Sequence, residues 1–181
     1  MAATIPLAER TLDVAGVQTA VLEGGDGPPV VLLHGPGEYA AKWVRVLPEL
    51  AKSHRVIAPD MPGHGNSVVS GGPIEADRVL DWLGALIKHT CATPPTLVGQ
   101  ILGGAIAARF AGRDVDRLSR LVLVDALGLA PFRPAPEFGQ ALTDFHSGPA
   151  GAREAKSMEA GYDPQRTSRN ADRLGPHRCG L

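Results

Sequence analysis

Val30-Val31-Leu32-Leu33 is a run of four apolar residues, the pattern of a strand covered on both faces, as strands of a parallel sheet are. Leu121-Val122-Leu123-Val124 repeats it and is expected to be a second buried strand, ending at Asp125. Between and around them lie segments of helical period. Trp43, Leu47, Leu50 and Ala51 share one side of a helix, with Pro48 expected in its first turns or at a kink. Val79, Leu80, Leu83, Leu86 and Ile87 share the apolar face of another, which Pro73 is expected to open. His54–Asp60 and Thr96–Val98 read as strands, and Leu102–Ala111 as a helix of small residues. Residues 8–14 and 17–23 alternate apolar and polar around Gly16, like a hairpin of half-exposed strands. Strands separated by helix-length connections give an α/β fold, a mostly parallel central sheet with helices on both faces.

The 181 residues are enough for one domain with a proper core. The core is expected within 1–130. Residues 131–181 are expected to hold a partial, cap-like helix at Glu137–His146 and a polar, poorly ordered tail, since Val, Ile, Phe and Trp are absent from Ser147 onward. A net charge of −1 creates no field that would draw in nucleic acid or an anionic membrane. No apolar run approaches the roughly 18 residues of a membrane span. The opening "MAATIPLAER" lacks the basic start and apolar stretch of a secretory signal, and Cys91 and Cys179 stand far apart. These features predict a cytoplasmic protein with reduced thiols, no metal and no cofactor.

The turn from Thr96–Val98 into the next helix reads Gly99-Gln100-Ile101-Leu102-Gly103-Gly104. Together with "VVLLHGPGEYAAKWVRVLPELAKSHRVIAPDMPGHGNS" and "RLVLVDALG", it resembles the α/β-hydrolase superfamily over residues 8–130, with the three blocks in the family's order and spacing. The resemblance implies a nucleophile elbow, G-x-S-x-G, on a strained turn of positive φ. Ile101 stands where the serine would be, and an alkyl side chain cannot be activated as a nucleophile. The flanking glycines predict that the elbow persists, with Ile101 at positive φ and its side chain at the pocket mouth.

The resemblance also implies an oxyanion hole built from the N–H of Leu102 and a donor in the loop after His34-Gly35. The residue there is Pro36, which has no N–H, and Gly37 is the candidate substitute. A family triad places its acid and histidine on later strands. With six strand-like segments present, the fold is expected to be incomplete at its C-terminal edge. Asp125 is the remaining acid candidate, set against a plain turn-capping role. His34 and His64 belong to loop motifs and are expected to organise hydrogen bonds. His177 and His146 have no strand to hold them, His54 and His89 suit structural positions, Ser67 and Ser70 have no base nearby, and Cys91 is expected to be simply packed.

Three functions compete: a hydrolase-family chain with impaired or lost catalysis, a module that binds a small apolar ligand in the retained pocket, and an enzyme that is non-hydrolytic or completed by a second chain. Without a further strand beside Leu121–Val124, self-association through that edge is expected.

Overall fold

A computed structural model describes residues 6–71 and 74–129, which all lie within one compact unit of the chain. The chain opens with a hairpin of β1 (Leu7–Val14) and β2 (Val17–Gly24), turned by Ala15 and Gly16 at φ 50° and 77°. Two successive positive φ values make the tight turn whose twist matches paired strands. β2 is buried along most of its length rather than half-exposed. It lies inside the sheet, between β1 and β4 (Arg55–Pro59). Next come β3 (Pro29–Leu33), a 3-10 turn at Ala40–Trp43, α1 (Leu47–Leu50), β4, a two-residue β5 (Val68–Val69) and α2 (Ala76–Thr90). β6 (Thr96–Gln100), α3 (Leu102–Arg113), a second 3-10 turn and β7 (Arg120–Val124) complete the described part.

The sheet order is β1-β2-β4-β3-β6-β7, with β5 paired to β2. β4, β3, β6 and β7 are parallel, while β1, β2 and β5 form an antiparallel flank. The α/β class expected from the sequence is therefore present, with seven strands where six were expected. The added β5 is too short to leave a pattern in the sequence. The step from β3 to β4 runs across the sheet opposite to those from β4 to β6 and β6 to β7. Right-handed crossovers therefore put α1 on one face and α2 and α3 on the other. Val31, Leu33, Ile57 and Leu97 pack toward the α2/α3 face, and the alternate residues Val30, Leu32, Val56 and Ala58 are buried on the α1 side. No described helix is long and apolar enough to cross a membrane.

Three local expectations change. The helix around Pro48 is two pieces, a 3-10 turn and the four-residue α1 with proline at its start, because proline offers no N–H to continue a longer helix. α2 begins at Ala76, whereas Pro73 lies outside the described residues. β7 is not buried: Leu121, Val122 and Val124 are 38%, 43% and 40% exposed, because β7 is the edge strand and β6 is its one described neighbour. The helix expected at Glu137–His146, the tail from Ser147, and His146, His177 and Cys179 lie outside the described residues.

Candidate functional site

The elbow is intact. Ile101 has φ 47° and ψ −104°, a conformation costly for a β-branched residue, and α3 starts at the next residue. The glycines around it are demanded by space. A Cβ on Gly99 would lie 2.3 Å from the carbonyl oxygen of Gly103, and one on Gly103 would lie 2.6 Å from the carbonyl oxygens of both Leu33 and His34. A Cβ on Gly104 would meet Ala126 at 2.6 Å. Strand, helix and the turn after β7 thus approach closer than any side chain allows.

The backbone of Ile101 is held on both sides. Its N–H donates to the carbonyl of Val124 (2.9 Å), and its own carbonyl accepts from Ala105 and Leu127 (3.1 Å each). Those bonds bring the turn that carries Asp125 beside the elbow. Asp125 is exposed and, like Ile101, is in the left-handed region at φ 49°.

The loop after β3 is organised by its own side chains. His34 is fully buried. Its Nε2 accepts the N–H of Met61 (2.9 Å), so the hydrogen-bond network assigns its proton to Nδ1, which donates to the carbonyl of Gly35 (2.7 Å). Burial pushes its pKa below 6.5. It is a neutral brace between two loops, as the motif suggested. The His64 ring stands edge-on to it, 5.2 Å between centroids, with Nδ1 facing the carbonyl of Pro62 (3.2 Å).

Glu38 was not singled out from the sequence. Its Oε2 accepts the N–H of Gly35 (2.9 Å), and its Oε1 pairs with Lys42. A Cβ on Gly35 would find that Oε2 at 2.8 Å and the Cδ1 of Ile101 at 3.5 Å. The Glu38 carboxylate and the sec-butyl side chain of Ile101 therefore both reach the space beside Gly35. Of the donor candidates, the Leu102 N–H opens α3 and takes no partner among the described residues. Gly37 is exposed at φ 69°.

Asp60 was also missed, although it opens the D-x-P-G-x-G-x-S stretch. Its Oδ1 accepts the N–H of Ala40 (2.7 Å), its Oδ2 that of Asn66 (2.8 Å), and Ser67 Oγ donates to its carbonyl (2.7 Å). Ser67 is thereby a buried structural group. The Cys91 thiol is half-buried, and burial raises its pKa, which keeps it from thiolate chemistry. Among the described residues no cluster of three or more His, Cys, Asp or Glu could hold a metal.

A cavity of about 340 Å³ lies beside the elbow, between the loop after β4, α2 and α3. Met61, Pro62, Leu80, Leu102, Ala105 and Ile106 contribute its apolar walls, with His64 and Arg109 as its polar members. Leu102 is among its lining residues, and Cδ1 of Ile101 lies 3.5 Å from where a Cβ on Gly35 would be.

A sequence model described as alpha/beta hydrolase fold matches residues 28–164. The chain belongs to the alpha/beta hydrolase fold family. It is 38% identical over 125 residues to a 2-hydroxymuconate semialdehyde hydrolase of Pseudomonas sp. strain CF600, covering 67% of this chain and 44% of that one. A 2-hydroxy-6-oxo-2,4-heptadienoate hydrolase of Pseudomonas putida strain F1 matches at 38% over 125 residues, covering 67% and 45%. The chain spans less than half the length of either relative. Among solved structures, the 2-hydroxy-6-oxo-6-phenylhexa-2,4-dienoate hydrolase of Rhodococcus sp. strain RHA1 superposes with a TM-score of 0.73 at 25% identity, over 92% of this chain and 69% of the other. An epoxide hydrolase, CorEH, gives a TM-score of 0.66 at 26% identity, over 83% and 55%.

Proposed function

We propose that this hydrolase-family chain does not itself perform nucleophilic hydrolysis, and that it keeps the fold to bind a small apolar ligand. The observation that carries the first half is Ile101 seated at φ 47° in an otherwise intact elbow. An alkyl group there cannot form the covalent intermediate of a serine hydrolase. Glu38 beside Gly35 adds fixed negative charge where a developing oxyanion would need donors, and Pro36 supplies no N–H. Loss of one oxyanion donor costs about 2.7–4 kcal/mol of transition-state stabilisation. The binding half is supported by the cavity of about 340 Å³, within the range of small-molecule sites.

The test is steady-state hydrolysis of p-nitrophenyl acetate and butyrate by the purified 181-residue chain. The expected result is no saturable turnover above a protein-free blank. Saturable turnover that Asp125→Ala abolishes would overturn the reading and give Asp125 the catalytic role the resemblance allows.

A further inference from the structure

We infer that β7 is the interface of a two-fold symmetric homodimer, in which two copies of the strand pair antiparallel with Val122 facing its own symmetry mate. Such a dimer does not depend on what the cavity binds.

The direction of the backbone groups sets the register. The Val124 carbonyl accepts the N–H of Ile101, so Val124 turns its polar groups toward β6. Those groups alternate along a strand, so Val122 also faces β6, while Leu121 and Leu123 face outward. Ser119, one residue before the strand, donates its N–H to the Pro95 carbonyl, and Asp125 leaves the extended conformation at φ 49°. The outer edge is thereby confined to the N–H and C=O of Leu121 and Leu123. A second copy satisfies all of them in one antiparallel register, with Leu121 opposite the partner's Leu123 and the reverse. Centring the two-fold on Leu121 or on Leu123 instead leaves one of these residues unpaired in each copy. A symmetric parallel pair sets each outward residue against itself, whereas parallel bonding needs an offset of one residue.

The side chains suit the same register. It keeps like faces together, so the two sheets join into one with α3 of both copies on the same side. On that side Leu121 lies across from the partner's Leu123. The flank of α3 turned away from the cavity carries Gly104, Ala108 and Ala111, small residues that leave this contact room. On the other side the exposed Val122 meets itself, and the exposed Val124 lies opposite the stem of the partner's Arg120. Arg120 and Asp125 are both exposed and stand in no ion pair among the described residues. The register brings Arg120 of each copy beside Asp125 of the other, so opposite charges meet at both ends of the paired strands. Because the same patch serves both copies, the contact closes at a dimer.

Disulfide trapping in the full chain carrying Cys91→Ser and Cys179→Ser tests this. Val122→Cys puts its thiols on a non-hydrogen-bonded pair whose Cα atoms are about 4.5 Å apart, within disulfide reach. Val124→Cys, on the same face, stands about 14 Å from its symmetry mate, beyond that reach. Under mild oxidation Val122→Cys is expected to form a covalent dimer at least about tenfold faster than Val124→Cys. Adding Arg120→Cys to Val124→Cys should restore cross-linking, since those two positions lie opposite each other. Circular dichroism confirms that each variant is folded. If a cysteine variant does not fold, sedimentation of Arg120→Asp decides, with dimerisation expected to weaken at least about tenfold. Equal cross-linking at the two valine positions, no cross-linking of Val122→Cys, or a mass unchanged by Arg120→Asp overturns the inference.

Discussion

Nε2 of His34 accepts the backbone N–H of Met61, and this one bond joins the loop after β3 to the loop after β4. Protonation would place an N–H against an N–H and charge a ring with no exposed surface. Burial is the larger reason that the pKa lies below 6.5; the neighbouring His64 lowers it further, and the Gly35 carbonyl, Asp60 and Glu38 oppose the shift. The unfolded chain takes up a proton near 6.5 and the folded chain does not. Stability from this residue is therefore constant above about pH 7 and falls as pH drops through 6.5 toward the lowered folded value, by up to about 1.4 kcal/mol per pH unit. His34→Gln, which can still accept from Met61 and donate to Gly35, is expected to flatten the Tm profile between pH 5 and 7. Identical profiles for the two proteins would refute the assignment.

Gly103 and Gly112 lie in the same helix and should respond oppositely to alanine. In a helix, alanine is favoured over glycine by about 1 kcal/mol. Gly112 has nothing within 4 Å of where a Cβ would sit, so Gly112→Ala should stabilise the chain by up to about that amount. Gly103→Ala would drive a methyl to 2.6 Å from two backbone oxygens, and backbone cannot swing aside as a side chain can. A loss of about 1–3 kcal/mol or more is expected from such overpacking. Urea unfolding of the two variants reads both signs. A stabilising Gly103→Ala would mean that α3 can move away from β3.

Much of this was legible because it depends on local spacing. The three glycines around Ile101 announced a close approach of strand and helix, and the apolar run Val30–Leu33 announced a strand covered on both faces. The elements that escaped depend on distant partners. Leu121–Val124 spells the same apolar run whether neighbours cover it or not, so its exposure could not be read from the run itself, and its edge position was legible only from the lack of a further strand-like segment after it. The carboxylate of Asp60 reaches Ala40, 20 residues away, and Trp82 donates its indole N–H to Thr19 across 63 residues. Glu38 was the nearest to being readable, since a carboxylate three residues after a glycine can reach back to its N–H.

The strain at Ile101 can be separated from its packing. Ile101→Ala removes side-chain contacts but keeps a Cβ at φ 47°, whereas Ile101→Gly removes both. A residue held in such a region costs about 1–3 kcal/mol. Ile101→Gly is therefore expected to be more stable than Ile101→Ala by about 1–2 kcal/mol, although glycine is normally the worse choice because its unfolded chain is freer. Chemical denaturation in parallel checks the order. Alanine equal to or better than glycine would mean that the turn relaxes in solution.

Restoring the nucleophile should not restore catalysis. Ile101→Ser would present a hydroxyl on a turn of suitable shape, but His34, the buried imidazole of the loop after β3, already uses both nitrogens. Glu38 would still occupy the N–H of Gly35. The expected outcome is no turnover of p-nitrophenyl butyrate by Ile101→Ser, nor by Ile101→Ser combined with Glu38→Gln. Intact triads provide far more than the residual acceleration of about 10³–10⁴ left when triad members are missing, so a sensitive single-turnover format is required. A serine-dependent burst in the single variant would reveal a base outside the described residues.

The edge at β7 sets the last expectation. Thr96–Gln100 pairs in parallel with Arg120–Val124, and among the described residues nothing pairs with the outer side of β7. Alternate N–H and C=O groups of Leu121-Val122-Leu123-Val124 therefore point away from the sheet, in a run guarded by one charge, Arg120, at its start. Such an edge is a template for a second strand, and a second copy of the same five residues is the partner we propose. Sedimentation equilibrium is expected to show a mass that rises with concentration. Val122→Lys, placed at a side chain already 43% exposed, should return the chain to a monomer without loss of fold. Amide exchange at Leu121–Val124 should be faster than at Val30–Leu33, which lie in a central strand paired on both sides. A monomer at every concentration, with exchange at Leu121–Val124 as slow as at Val30–Leu33, would show that another part of the chain already closes this edge.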